Sequence, residues 1–253
     1  MKTIALSNQK GGVGKSTTAA ALAAGLVHRG HKVLTVDMDP QSNLTIASGV
    51  DVMGDGAVLY DVFKGSAAAK DAITASPLGY SVMRGGLALA AADMDFTQTG
   101  REYMLREAME EVAPGYDFAV IDTAPALGIL TVNAMTAADG LVIPLTADLF
   151  ALQGLEQLTM LISRIKKYSN KNLRIYGLLI TRHNDRETIS KALRERIAEQ
   201  AARMGTKVFS QPIRNSVAVR EAQALQSDLF AEAPKANATI DYDAFVAELL
   251  EEV

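Results

Sequence analysis

Early in the chain the sequence reads Lys10-Gly11-Gly12-Val13-Gly14-Lys15-Ser16-Thr17. Glycines at this spacing let the backbone curl until successive N–H groups face inward, forming a nest for a di- or triphosphate. A helix beginning at the end of such a loop adds the positive end of its dipole. In this arrangement the backbone of Gly11, Gly12, Val13 and Gly14 cradles the ligand. Lys15 neutralises the β- and γ-phosphates, the Ser16 hydroxyl ligates Mg2+, and Thr17 reaches the α-phosphate. Two carboxylates follow apolar runs further on: Asp39 in Asp37-Met38-Asp39-Pro40-Gln41, and Asp122 in Asp122-Thr123-Ala124-Pro125. The carboxyl ends of neighbouring parallel strands open onto one crevice, so Lys15, Asp39 and Asp122 can meet although far apart in sequence. Asp122, ending its strand, suits binding Mg2+ through water. Either Asp taken alone has a second, weaker reading as a helix N-cap.

These residues need strands and helices to hold them. Lys2 to Ser7 has β character, and Lys15 to Arg29 is an Ala/Leu-rich helical stretch ended by Gly30. Strands are predicted at Lys32–Val36, Tyr80–Met83, Phe118–Ile121, Leu141–Leu145, Leu173–Ile180 and, more briefly, Val208-Phe209. Helices are predicted at Val58–Phe63, Gln98–Val112, Leu127–Ala138, Leu152–Lys167, Thr188–Met204 and Tyr242–Val253. Residues 41–95 carry the weakest pattern. Strands separated by helices of this length predict an α/β fold: a mostly parallel twisted sheet with helices on both faces. No repeat, linker or low-complexity tract divides the chain, so 1–253 reads as a single domain.

Composition narrows the chemistry. The 253 residues are 49% hydrophobic and 21% charged, which excludes bulk disorder. With no Cys, thiolate zinc sites, all-Cys iron–sulfur clusters and Cys nucleophiles are out, and a reducing, cytosolic setting fits. The longest stretch free of Asp, Glu, Lys and Arg, Thr123 to Ala138, is 16 residues and too short to span a bilayer. His28, His31 and His183 have no metal-ligand spacing. Net charge is −4, but Arg164 to Arg220 holds 14 Lys and Arg against 4 Asp and Glu, leaving 11 against 25 elsewhere. Such asymmetry suits either solvated helix faces or an anionic partner.

The loop departs from the standard phosphate-binding pattern in one respect: Gln9 stands where the first glycine is expected, and Lys10 sits just inside. This resembles the deviant Walker A loop of the ParA/MinD superfamily of P-loop NTPases, Lys-Gly-Gly-x-Gly-Lys-Ser/Thr. Asp37-Met38-Asp39-Pro40-Gln41 with Ser42-Asn43-Leu44-Thr45 is similar to the Asp-x-Asp-Pro-Gln and polar-Asn-x-Thr stretches of ParA/Soj-type partition ATPases. Asp122 to Ala134 is similar to the family's Asp-x-Pro-Pro-x-Leu-Gly-x-Leu-Thr-x-Asn-Ala, with Ala124 replacing the first proline. The resemblance covers nearly the whole chain and is weakest over residues 50–100. It implies an ATPase using ATP and Mg2+, in which Lys10 reaches across a homodimer to the partner's nucleotide. A cation arriving in trans can accelerate phosphoryl transfer on the order of 10³–10⁵-fold. Asp39 would hold the Mg2+ shell and orient the attacking water, and Asp122 would be the Walker B carboxylate. The loop lies so near the start that the chain resembles the short form, without the N-terminal helix-turn-helix domain of longer members.

Soj-like members bind DNA without sequence preference, as ATP dimers, through C-terminal arginines. By resemblance one maps to Arg186, and the second follows the Arg214-Asn215 pair, where the match slips by a residue and leaves the position at Val217 or Arg220. Ile213-Arg214-Asn215 resembles the family's Pro-Arg-Asn near the adenine, with Ile213 in place of proline. The expected partners are a second copy, non-specific DNA and a centromere-binding ParB-like activator, on the nucleoid in the cytoplasm. A MinD-like membrane cycle wants a basic amphipathic C-terminal helix, whereas Glu221 to Val253 has 8 acidic residues and one Lys. A small-molecule ligase, or an ATPase positioning some other cargo, are the remaining alternatives.

Overall fold

The computed structural model describes residues 1–184 and 190–253. Its elements run β1 (Lys2–Leu6), α1 (Lys15–Val27), β2 (Val33–Met38), α2 (Asn43–Ala47), α3 (Leu59–Lys64), β3 (Ile73–Ala75) and β4 (Ser81–Met83). They continue with α4 (Ala92–Asp95), α5 (Met104–Val112), β5 (Phe118–Thr123), α6 (Ile129–Ala137), β6 (Gly140–Thr146) and α7 (Leu149–Tyr168). The remainder is β7 (Arg174–Thr181), α8 (Ser190–Arg203), α9 (Val217–Ala224), α10 (Leu229–Glu232) and α11 (Asn237–Leu250). The sheet has the order β3-β4-β2-β5-β1-β6-β7. Among the described residues only the β3–β4 pair is antiparallel.

The period-2 alternation of strands sends neighbouring side chains to opposite faces. Ile4 and Leu6 of β1 join the apolar cluster under α1 and α11, while Ala5 joins the other cluster. In β5, Phe118 and Val120 face α1, and Ala119 and Ile121 face the side packed by α5, α6 and α7. Both faces are therefore covered, which is why these strands read as continuous apolar runs in sequence. Each fully buried Leu or Ile contributes about 1.5–3 kcal/mol of burial free energy.

The expected α/β architecture is present, with local differences. β2 extends to Met38, so Asp37 lies inside the strand and Asp39 just beyond it. Gln98–Val112 is helical only from Arg101, through a 3-10 turn at Arg101–Tyr103. Val208 makes a single parallel bridge to Leu178 rather than a strand. The terminal helix starts at Asn237, five residues before the expected Tyr242. α2, β3, α4, α9 and α10 have no counterpart in the sequence reading.

Candidate functional site

The Gly-rich loop joins β1 to α1 at the carboxyl end of the sheet. Gly12 and Gly14 have φ of 72° and 82°, a left-handed conformation that glycine adopts without Cβ strain. Gly14 is the N-cap of α1, which has no capping side-chain hydrogen bond and no acidic residue in its first turn. The first N–H groups of α1 are thus left for an external acceptor. Val13 is buried in the core, and its carbonyl accepts a hydrogen bond of 2.8 Å from the Thr181 hydroxyl, so the loop is tied to β7. Only the backbone of Val13 is placed to serve a ligand.

Lys15 is 7% exposed, with Nζ 3.5 Å from the Lys10 carbonyl. Burial holds its ammonium below the ordinary lysine range, against the pull of Asp122 and Asp39. Asp122 is paired in register with Leu6 of β1 and Asp37 of β2. It is completely buried, and neither carboxylate oxygen meets a hydrogen-bond donor in normal geometry. Burial pushes its carboxyl well above the usual range, Asp37 pushes it further, and nearby Ser16 and Lys15 oppose the shift. An orphaned carboxylate beside a hydroxyl and an ammonium fits a hydrated divalent cation shared with phosphates. Mg2+ commonly takes one or two protein oxygens and fills its octahedron with phosphate and water. Among the described residues no cluster of three or more His, Cys, Asp or Glu forms a protein-only metal cage.

The two aspartates after Val36 divide their labour. Asp37 accepts from the Thr45 N–H at 2.8 Å, the Thr45 hydroxyl at 2.7 Å and the Asp39 N–H at 3.1 Å. Burial raises its carboxyl to about 6 in spite of these bonds. Asp37 therefore anchors the 39–45 segment to the end of β2. Asp39 is buried and accepts from the Gln41 N–H at 2.9 Å. It lines a cleft of about 1050 Å³ together with Gly11, Gly12, Gly14, Lys15, Ser16 and Thr17. Asp122 is fully buried, close enough to the Lys15 ammonium for the two charges to act on each other.

Lys10 points elsewhere. Its Nζ pairs with Asp148, the second residue beyond β6 of the same chain, and approaches Oγ1 of Thr146, the last residue of β6, at 3.3 Å. Ile213, Arg214 and Asn215 line a second groove of about 480 Å³ that shares Gly14, Thr17, Arg182 and Gln223 with the cleft. The Arg214 guanidinium is bound to the buried Asp241 of α11, with Nε 2.9 Å and Nη2 2.6 Å from its oxygens. Ile213 is 3% exposed and bonds through its backbone to Ile180 and His183. Arg220 is exposed on α9 and lines the groove. Arg186 lies outside the described residues. The sequence reading missed Arg182 and Gln223. Gln223 donates to the Thr17 hydroxyl at 2.8 Å, a contact across 206 positions that no local pattern announces.

Fold and loop together define a P-loop nucleotide-binding protein of the α/β class. A family model described as an AAA domain matches residues 1–175. The chain is 38% identical to the chromosome partitioning protein ParA of Caulobacter vibrioides, over 88% of this chain and 84% of that protein. It is 37% identical to the sporulation initiation inhibitor protein Soj of Bacillus subtilis, over 87% of each. Among solved structures, a Mycobacterium smegmatis cobyrinic acid a,c-diamide synthase with bound ATP analogue and magnesium superposes with TM-score 0.87. It is 30% identical, and the match covers 100% of this chain and 95% of that one. The chain belongs to the ParA family of partition ATPases.

Proposed function

We propose that this protein is a Mg2+-dependent ATPase that dimerises with ATP, binds DNA without sequence preference and drives chromosome or plasmid segregation. Its hydrolysis is stimulated by a centromere-binding ParB-like partner, and it works in the cytoplasm on the nucleoid. The observation that carries the ATPase reading is the orphaned Asp122 carboxylate, within electrostatic reach of Lys15, the first residue of the uncapped helix α1. Lys15 binds the β- and γ-phosphates, Ser16 and Asp122 hold Mg2+, and Asp39 orients the attacking water. Relatives named as chromosome partitioning proteins, at 37–38% identity over 70–84% of their length, support the segregation role. The magnesium and ATP analogue of the M. smegmatis structure support the ligand assignment.

Lys10 completes the partner's site in this reading, so dimerisation must exchange its bond to Asp148 for the neighbour's phosphates. The net charge of +10 over Arg164 to Arg220 supports an anionic partner. A dimer doubles that charge, which gives ATP control over DNA affinity. A ligase reading gains from the name of the M. smegmatis protein, but this chain has no Cys to release ammonia from glutamine. Among the described residues no helix is long and apolar enough to cross a membrane. DNA binding measured with ADP, ATP and a slowly hydrolysed analogue, at several salt concentrations, tests the proposal. Binding that needs ATP and falls steeply with salt is expected; equal binding under all nucleotides overturns it.

A further inference from the structure

Arg182 stands one residue beyond β7 with φ of 51°, a left-handed conformation disfavoured for a side chain with a Cβ. Its neighbours hold it there. The Thr181 hydroxyl donates to the Val13 carbonyl at 2.8 Å and the Leu145 carbonyl at 3.1 Å. On the other side the His183 N–H donates to Ile213 O at 2.8 Å, and the Asn215 N–H donates to His183 O at 2.9 Å. The strained residue is therefore fixed relative to the phosphate loop. Strain retained at a cleft is a pointer to function.

The side chain is exposed, and it lines both the 1050 Å³ cleft and the 480 Å³ groove. It has no hydrogen bond or ion pair among the described residues, whereas Lys10 and Arg214 are committed to Asp148 and Asp241. Lys15 lies deep beside Asp39 and Asp122. At the meeting point of the two cavities, beside Thr17, the protein thus presents a guanidinium with nothing of its own to neutralise. A nucleotide with its β- and γ-phosphates on Lys15 and its base toward Ile213 passes its α-phosphate through this point.

We propose that Arg182 is a nucleotide-binding residue whose guanidinium pairs with the α-phosphate of the bound nucleoside di- or triphosphate. The inference rests on the reading of the Gly11–Thr17 loop as a phosphate site. Arginine suits the task because its planar fork meets two phosphate oxygens at once.

The test is the affinity of the full-length protein for MgADP and for a non-hydrolysed ATP analogue with Mg2+, in the wild type and in Arg182→Met, Arg182→Gly and Lys15→Ala. Arg182→Met should weaken both nucleotides equally, by about tenfold, as expected for one charge-assisted contact. Arg182→Gly should show the same loss while raising the melting temperature of the nucleotide-free protein, because glycine relieves the left-handed strain. That opposite movement of affinity and stability separates a ligand contact from a folding role. A loss confined to the ATP analogue puts the guanidinium at the γ-phosphate and overturns the proposal. Unchanged affinity for both nucleotides, with or without loss of DNA binding, also overturns it. If Lys15→Ala retains full affinity, the phosphate-site reading itself fails, which is a separate result from any outcome at Arg182.

Discussion

Asp37→Asn isolates the cost of holding a carboxylate inside the sheet. Burial raises the Asp37 carboxyl from 3.8 to about 6. At 1.36 kcal/mol per pH unit this gap amounts to about 3 kcal/mol of native-state penalty on the ionised form. Between those two values the native state binds the proton more tightly than the unfolded chain, so this group favours folding as pH falls. Its contribution is fully present below 3.8 and is lost as pH rises through about 6. Between pH 7.5 and pH 4.5 the recovery is about 2 kcal/mol. In Asp37→Asn the charge is gone, but an amide nitrogen replaces the oxygen that faces the Asp39 N–H, or the pair facing Thr45. Two donors in opposition cost about 1–3 kcal/mol. At pH 7.5 the variant should therefore lie between equal to the wild type and about 2 kcal/mol more stable, and this advantage should fall by about 2 kcal/mol at pH 4.5. Urea unfolding of the nucleotide-free proteins at half-unit pH steps measures it. Stability curves that run parallel over the whole range would refute the assignment of a raised Asp37.

Asp39→Ala should keep ATP affinity within a few-fold and lose most hydrolysis, checked by calorimetric binding beside phosphate release. Gly128→Ala drives a Cβ into Asp93 Oδ2, in the carboxylate whose other oxygen accepts the Ile129 N–H at 2.8 Å. It should cost about 1–3 kcal/mol by denaturation, most of it absent when Asp93→Ala is already in place. Arg186→Glu should reduce DNA affinity and flatten its salt dependence without changing ATP binding, checked by titration with and without ATP.

The parts that were legible in the sequence are those whose physics is local or strictly periodic. The phosphate loop shows because glycine supplies left-handed angles at Gly12 and Gly14. β1, β2 and β5 show because burial on both faces gives each a run of apolar residues, interrupted mainly by Thr and by the site carboxylates at their carboxyl ends. Residues 41–95 were obscure because long-range bonds shape them. Arg84, 3% exposed, donates to the carbonyls of Gly54, Asp55 and Ala57, organising a loop some thirty residues earlier in the chain. β3 is a three-residue edge strand, partly exposed, with no alternation to detect. α9 buries only Ala222, so its helical face carries almost no apolar signature. At the site, Lys15, Asp39 and Asp122 do come together. The partners that fix Lys10 and Arg214, namely Asp148 and Asp241, lie 138 and 27 positions away and became visible only in the fold.

The central claim is that two chains close on two nucleotides, each lending Lys10 to the other. Sedimentation equilibrium with saturating Mg2+ and a non-hydrolysed ATP analogue tests it most directly. The account predicts a mass of twice the 26.9 kDa of one chain with the analogue, one chain's mass with ADP, and no shift in Lys15→Ala. A single-chain mass with the analogue fully bound would contradict it.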